Sequence, residues 1–210
     1  MKYPDIDRIY RTMSPGNIPW NSETPPAVLV DLVREGTVRP CRAVDLGCGA
    51  GNYAIYLASQ GFTVTGIDSS STAITIARQQ AEERGIACRF IVADVLGDLH
   101  EVKETFDFAY DWELLHHIFP EDRATYLRNV HAILNPGAYY LSVCFSEEDP
   151  QFGGTGKYRK TQIGTTLYFS SESELRGLFS RYFAIRDLST IDIFGKFGSH
   201  RAIRVLSERK

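Results

Sequence analysis

The sequence predicts an α/β protein, a doubly wound and mostly parallel sheet with helices on both faces, and three observations support this fold class. Short apolar segments alternate along the chain with segments of helical periodicity. Residues 43–52, Ala-Val-Asp-Leu-Gly-Cys-Gly-Ala-Gly-Asn, lead an apolar strand into a glycine-rich turn. A helix-like run follows that turn. This order brings backbone N–H groups and a helix N-terminus to a nucleotide-like ligand.

The alternation defines the central part of the chain. Ser69, Ser70 and Ser71 are N-cap candidates for a helix, and Asn135-Pro136-Gly137 predicts a helix stop followed by a turn. The apolar segments predict strands at Ala43–Leu46, Thr63–Ile67, Arg89–Val92, Phe106–Tyr110 and Ala138–Cys144, with helices at Tyr53–Gln60, Ser71–Arg84 and Glu121–Leu134.

The two ends of the chain extend this pattern. Residues 146–164 are polar and rich in turn formers, which predicts an insertion between elements of the sheet. Ser170 or Ser171 can cap a helix that runs through Arg181. The remaining predictions are helices at Asp5–Met13 and Ala27–Glu35, and strands at Thr165–Phe169, Phe183–Leu188 and Ala202–Leu206.

Composition limits the class of protein. A chain of 210 residues with 43% hydrophobic and 23% charged residues is ordinary for one globular domain. A net charge of −3 gives no general attraction to nucleic acid or to an anionic membrane, and no apolar segment has the length of a membrane span. The four cysteines lack metal-ligand spacing, so we expect no metal site and reduced thiols in the cytoplasm. We also expect a monomer or a homodimer.

The string Asp45-Leu46-Gly47-Cys48-Gly49-Ala50-Gly51 resembles motif I of the class I S-adenosylmethionine (SAM)-dependent methyltransferases. The dinucleotide fingerprint G-x-G-x-x-G fits less well, because the third glycine comes one place early. A carboxylate at position 45 repels a pyrophosphate but suits an ammonium group and a sulfonium. The resemblance covers about residues 40–145. It implies a Rossmann-like, seven-stranded sheet whose last strand is antiparallel, with SAM as cofactor and S-adenosylhomocysteine (SAH) as product.

The resemblance also implies roles for acids at strand ends. Asp68 follows the glycine turn by about 20 residues and would bind the ribose hydroxyls, the alternative being a helix N-cap. Asp94 and Val95 would bind the adenine, the alternative for Asp94 being a turn-forming residue. The predicted cofactor-binding residues are Trp20, Asp45, Gly47, Cys48, Gly49, Gly51, Asn52, Asp68, Ser69, Asp94, Val95 and Asp111.

The segment Tyr110–Ile118 resembles the stretch after the fourth strand in small-molecule methyltransferases. His117 and Asp111 are the catalytic candidates, although either histidine of the pair could instead pack against the sheet end. Adjacent histidines on a helix point about 100° apart, so they rarely bind one metal ion together. A basic cluster at residues 157–160 is either a solvated loop or an anion site. The predicted acceptor-contacting residues are Tyr110, Trp112, His116, Lys157 and Arg159.

The stretch Ile18-Pro19-Trp20-Asn21, with Pro25-Pro26, is similar to a segment of the thiol/halide, thiopurine and tellurite-resistance methyltransferases. The family has Asp where this chain has Asn21, and Trp20 could alternatively be a core residue. This similarity favours a thiol acceptor, with a nitrogen or oxygen acceptor as the alternative. The expected organisation is one domain of residues 1–210, with an arm or lid (1–36), a SAM-binding core (40–145), a substrate-side insertion (146–169) and a C-terminal part (170–210).

The sequence therefore predicts a SAM-dependent methyltransferase that acts on a small molecule by in-line displacement. Two alternatives remain open, an RNA or protein methyltransferase and a non-catalytic SAM-binding protein. The absence of a Pro-Pro dipeptide after the fourth strand and the slightly acidic net charge both favour the small molecule over nucleic acid.

Overall fold

Seven strands form one central sheet in the computed structural model, which describes residues 3–99, 102–153 and 155–210. Met1 and Lys2 of the predicted arm and Gly154 of the predicted insertion lie outside the described residues. The strands of the sheet are β1 (Arg42–Leu46), β2 (Thr63–Asp68), β3 (Arg89–Val92), β4 (Phe106–Trp112), β5 (Leu134–Phe145), β8 (Phe183–Gly195) and β9 (Gly198–Arg209), and a separate ladder joins β6 (Tyr158–Lys160) to β7 (Thr166–Tyr168).

The strand order is β3-β2-β1-β4-β5-β9-β8. Strands β1 to β5 pair in parallel, and β9 runs antiparallel between β5 and β8. The prediction of a mostly parallel, seven-stranded sheet with an antiparallel last strand is therefore confirmed.

Helices cover both faces of the sheet. Helices α5 and α6 pack on one face, and α2, α3 and α4 pack on the other. Ser70 caps α4 by accepting a hydrogen bond from the Ala73 N–H, and Ser171 caps α6 in a reciprocal box with Glu174. The helices are α1 (Ile6–Thr12), α2 (Ala27–Arg34), α3 (Asn52–Ser59), α4 (Ser71–Glu83), α5 (Pro120–Ile133) and α6 (Glu172–Phe179), with short 3₁₀ helices at Pro15–Asn17 and Leu115–His117.

Three larger differences from the sequence-based predictions concern the strands. Residues 135–137, predicted as a turn, belong to β5, where a register shift against β4 and a φ of 79° at Gly137 absorb the irregular residues. Strands β8 and β9 form a long hairpin rather than two short strands. The strand predicted at Thr165–Phe169 pairs with β6 outside the central sheet.

The N-terminal arm packs on the sheet through a small apolar cluster of its own. Ile9, Tyr10 and Ile18 of the arm contact Ala50 of the glycine turn and Ala73 of α4. Within the described residues, no helix has both the length and the apolar character that crossing a membrane requires.

Candidate active site

The glycine turn between β1 and α3 is held against β2. The N–H groups of Gly47 and Cys48 both donate to the carbonyl oxygen of Ile67, at 2.8 and 3.0 Å. Gly49 has a φ of 53°, and a Cβ at this position would lie 2.5 Å from the hydroxyl oxygen of Tyr10. Glycine at position 49 is therefore required both by the backbone and by the close approach of the arm.

Oxygen atoms that can still accept hydrogen bonds lie beside this turn. Asp45, at the end of β1, is 3% exposed, and burial raises the pKa of its carboxyl to about 7, although the nearby Tyr110 hydroxyl lowers it. Asn52 donates to the side chain of Asn21, and its own buried Oδ1 has no partner among the described residues. A carboxyl group and an unpaired amide oxygen beside the glycine turn are suited to binding an ammonium group.

Asp68 lies at the end of β2 with its carboxylate directed at the turn. Its two oxygens accept hydrogen bonds from the Gly49 N–H at 2.9 Å and the Ser70 N–H at 2.8 Å, and burial raises its pKa. The N-cap of α4 is Ser70 and not Asp68. Because a carboxylate has about four lone-pair positions, Asp68 can still accept hydrogen bonds from a ligand.

Asp94 follows β3 and is exposed. Its Oδ1 accepts a hydrogen bond from the Leu96 N–H at 2.9 Å, so the turn-forming role that was the alternative at this position is present. Asp94 and the buried Val95 also line the same cavity as the glycine turn.

The first cavity brings together all of the predicted cofactor-binding residues except Gly51 and Asp111. At Gly51, where φ is 78°, a Cβ would lie 2.8 Å from the Ala77 methyl group and the Phe90 ring, so this glycine serves helix packing. Trp112, predicted to contact the acceptor, lines this first cavity instead. The cavity is lined by Ile6, Tyr10, Trp20, Asn21, Ser22, Asp45, Gly47, Cys48, Gly49, Ala50, Asn52, Tyr53, Asp68, Ser69, Ala93, Asp94, Val95, Trp112, Glu113, Leu114 and His117.

Two predicted residues of β4 lie away from both cavities. Asp111 is fully buried and accepts hydrogen bonds from the hydroxyls of Tyr126, Tyr140 and Ser142, and burial raises its pKa to about 6. Tyr110 is buried in the core on the opposite face of the sheet. Successive strand residues point to opposite faces, so the end of β4 could not present both side chains to one site.

A second cavity of about 840 Å³ adjoins the first. The arm, the insertion and the tip of the β8–β9 hairpin surround it. Trp20, Glu113 and His117 line both cavities, so these residues mark the junction. The remaining lining residues are Asn17, Pro19, His116, Phe145, Gln151, Phe152, Gly153, Lys160, Thr161, Gln162, Ile163, Thr165, Leu167, Gly195, Lys196, Phe197 and His200.

The structure does not place Lys157 or Arg159 in this cavity. The Lys157 ammonium group pairs with the carboxylates of Glu147 and Glu174, at 2.8 and 2.6 Å. Arg159 is buried and donates to backbone carbonyl oxygens of its own loop region. Of the predicted basic cluster, Lys160 lines the second cavity.

The paired histidines occupy different positions at the junction. His116 stacks on Phe145 with ring centroids 4.1 Å apart, and its Nδ1 accepts from the Phe145 N–H, so its Nε2 carries the hydrogen. His117 meets Trp20 edge-on at 5.8 Å, and its buried Nδ1 has no partner among the described residues. Burial lowers the pKa of His116 well below its ordinary value and that of His117 to about 4, so both rings are neutral at pH 7.

Sequence reasoning missed two groups in these cavities. Glu113, at the junction, has a φ of 64°, and burial raises the pKa of its carboxyl to about 7. Its position directly after a strand was a usable signal. His200 lines the second cavity with its Nδ1 3.0 Å from the buried carboxylate of Asp149. That pair joins residues 51 positions apart, and nothing local in the sequence indicates it.

The arm is fastened over both cavities by side-chain hydrogen bonds. The carboxylate of Asp7 accepts from the Ser70 hydroxyl at 2.8 Å and the Thr72 N–H at 2.9 Å. The Trp20 indole N–H donates to the Tyr10 hydroxyl at 2.9 Å. At the hairpin tip, the Lys196 ammonium group donates to the carbonyl oxygen of Asn21 at 3.1 Å.

Comparison with known proteins places the chain in a family. Residues 43–137 match the model of a methyltransferase domain. The chain is 30% identical to the 2-heptyl-1-hydroxyquinolin-4(1H)-one methyltransferase of Mycobacteroides abscessus, over 84% of this chain and 73% of the relative. It spans less than half the length of several further curated methyltransferases that it matches.

Solved structures support the same family. One, from work on the conversion of a disulfide bond into a thioacetal group during echinomycin biosynthesis, has a TM-score of 0.83 at 28% identity, covering 98% of this chain and 91% of that one. The fold is shared with the 1,6-didemethyltoxoflavin-N1-methyltransferase of Burkholderia thailandensis, which has bound SAH, at a TM-score of 0.68, 20% identity and coverages of 100% and 84%. This chain belongs to the class I SAM-dependent methyltransferases.

Proposed function

We propose that the protein transfers the methyl group of SAM to a flat, heteroaromatic small molecule held in the second cavity. The junction of the two cavities carries this proposal. Because Trp20, Glu113 and His117 line both spaces, a sulfonium in the first cavity would face an acceptor in the second. Holding two reactants in line in this way lowers the barrier to their reaction.

The first cavity fits SAM on its own chemistry. Asp45 and the unpaired Oδ1 of Asn52 would hold the ammonium group of the methionine part. Asp68 would accept from the ribose hydroxyls, and Asp94 with Val95 would bind the adenine. SAM supplies a methyl group activated on a sulfonium, and these residues orient it toward the junction.

The second cavity suits a flat acceptor. Its volume of about 840 Å³ is within the range of small-molecule sites, and the rings of Phe145, Phe152 and His116 form part of its wall. His200 lines this cavity with its Nδ1 held by Asp149, so its Nε2 would be available as a polar contact for the acceptor. Quinolones and toxoflavins, which appear in the names of the relatives, are flat nitrogen heterocycles.

The other candidate functions lack comparable support. An RNA or protein substrate would have to insert a single base or side chain into the second cavity, which the arm, the insertion and the hairpin tip surround. A thiol acceptor, predicted from the stretch around Trp20, remains a prediction, because no contact in the cavity selects sulfur.

The test is a methylation assay with SAM carrying a labelled methyl group. We expect product with hydroxylated or N–H heteroaromatics such as 1-hydroxyquinolin-4(1H)-ones, and little with bulk RNA or protein. Turnover confined to RNA or protein would contradict the proposal. SAM binding without turnover of any acceptor, including aromatic thiols, would instead favour a non-catalytic SAM-binding protein.

A further inference from the structure

We infer that Glu113 is the catalytic base of this methyltransferase, removing the proton of a hydroxyl or ring N–H acceptor as the methyl group is transferred. This inference rests on the proposed function. It assigns a role to a residue that the sequence did not single out, in place of His117.

Position favours Glu113. It lines both cavities, so it lies at the junction where the acceptor atom would meet the methyl group. Trp20, the second junction residue, has no basic atom. His117, the third, has a buried Nδ1, and burial lowers its pKa to about 4, so it is a weaker base than the Glu113 carboxylate, whose pKa burial raises to about 7.

The backbone supports the same assignment. Glu113 has a φ of 64°, in the left-handed region that strains the backbone of a residue with a side chain. Its N–H donates to the carbonyl oxygen of Val143 in β5 at 2.9 Å, which fixes the residue at the carboxyl end of β4. Glycine would fit this conformation without strain, so a carboxylate here points to a function at the expense of stability.

The surroundings of Glu113 leave its carboxyl able to change charge. No cation among the described residues forms an ion pair with it. The nearby indole of Trp112 stabilises the charged form, and burial stabilises the neutral form. The other titratable or charged groups that face the two cavities near it are Tyr53, Asp45, His116, His117, Lys160, Lys196 and His200.

In this step a proton and a methyl group both change partners. The acceptor's O–H or N–H proton moves to a carboxylate oxygen of Glu113, and the lone pair of that oxygen or nitrogen forms the new bond to the methyl carbon. The electron pair of the broken S–CH₃ bond stays on sulfur. Glu113, now neutral, returns its proton to water when the second cavity opens for product release.

The decisive experiment compares wild type with Glu113→Gln on a series of acceptors that differ in acidity. General base catalysis contributes roughly 10²- to 10⁴-fold, so we expect kcat to fall by that factor for acceptors that are protonated at the assay pH. Acceptors that are already ionised should lose little. An equal loss across the series, or no loss, would overturn the inference.

Two further variants separate catalysis from folding. Glu113→Gly should unfold at an equal or higher denaturant concentration than wild type, while losing turnover of protonated acceptors as Glu113→Gln does. A clear loss of stability in Glu113→Gly would contradict the strain at this residue. The matched control is His131→Gln on α5, outside both cavities, which should turn over like wild type.

Failure of the proposed function is distinguishable from failure of this inference. SAH affinity, measured by calorimetry, should be unchanged in Glu113→Gln, because SAH lacks the sulfonium charge. If wild type methylates no heteroaromatic acceptor, the acceptor class is wrong. If it does and His117→Gln, rather than Glu113→Gln, shows the dependence on acceptor acidity, His117 is the base.

Discussion

The two carboxylate oxygens of Asp68 accept hydrogen bonds from the backbone N–H groups of Gly49 and Ser70. The side chain therefore fixes the glycine turn to the end of β2 and to the start of α4. In our proposal the same carboxylate accepts from the ribose hydroxyls. One residue would then couple the shape of the turn to the binding of SAM.

Replacing Asp68 with Ala should weaken SAH binding. A hydrogen bond to a charged group contributes about 1.5–3 kcal/mol, so we expect the Kd, measured by calorimetry, to rise roughly 10- to 100-fold. Asp31→Ala, at a partly exposed acid on α2 that pairs with Arg34, is the matched control and should bind like wild type. Unchanged affinity in Asp68→Ala would refute the ribose assignment.

The buried carboxyl of Asp45 predicts a pH dependence of folding stability. Its pKa is raised from 3.8 to about 7 in the folded protein, so its contribution to stability is complete below about pH 4 and is lost as the pH rises through about 7. Asp45→Asn removes this ionisation. We expect the variant to gain stability relative to wild type between pH 5 and pH 8, by about 2–3 kcal/mol.

Guanidinium denaturation at the two pH values measures this difference. The comparison needs the variant because His117, whose pKa is lowered to about 4, acts in the opposite direction and loses stability as the pH falls. A stability difference that does not change with pH would show that Asp45 titrates as an ordinary surface acid.

At the scale of elements, the N-terminal arm is predicted to close over the cofactor. We expect SAH to reduce protease cleavage within residues 3–26, because ligand contacts would add to those that already hold Tyr10 and Trp20. Asp7→Ala removes the hydrogen bonds to Ser70 and Thr72 and should increase cleavage without ligand. Equal cleavage with and without SAH would contradict the lid.

The helices and strands were predictable because periodicity is local, and the caps at Ser70 and Ser171 follow from the same local chemistry. The full length of the β8–β9 hairpin could not be predicted, because polar residues such as Asp192 interrupt the apolar pattern of its strands. Strand-end placement indicated Asp45 and Asp68. The pairing of His200 with Asp149 depends on the order of strands, which no short window of sequence contains.

At the scale of the whole molecule, the strand order explains where the cavities lie. Strands β2 and β3 are added on one side of β1, and β4 and β5 on the other, so β1 and β4 flank the point where the strand order reverses. Ligands of open α/β sheets bind at such a point, beyond the carboxyl ends of the strands. Asp45, Asp68, Asp94 and Glu113 follow or end four different strands, yet all line the first cavity. The monomeric or homodimeric state stays a prediction.

Activity should not depend on a divalent metal ion. No group of three or more His, Cys, Asp or Glu side chains within the described ranges is arranged to hold one. We therefore expect the initial rate to be the same with and without a chelator such as EDTA. A rate that falls with chelator and returns with added Mg²⁺ would contradict this prediction. Residues at the junction of the two cavities would then have to bind the metal ion.

The arm lines the first cavity and also bounds the second. The Lys196 ammonium group at the hairpin tip donates a hydrogen bond to the backbone of the arm. Opening the arm for one substrate would therefore also open the site of the other. If the arm must open to admit SAM and then close to complete the second cavity, steady-state kinetics should follow a compulsory order in which SAM binds first and SAH leaves last. SAH would then inhibit competitively against SAM and noncompetitively against the acceptor.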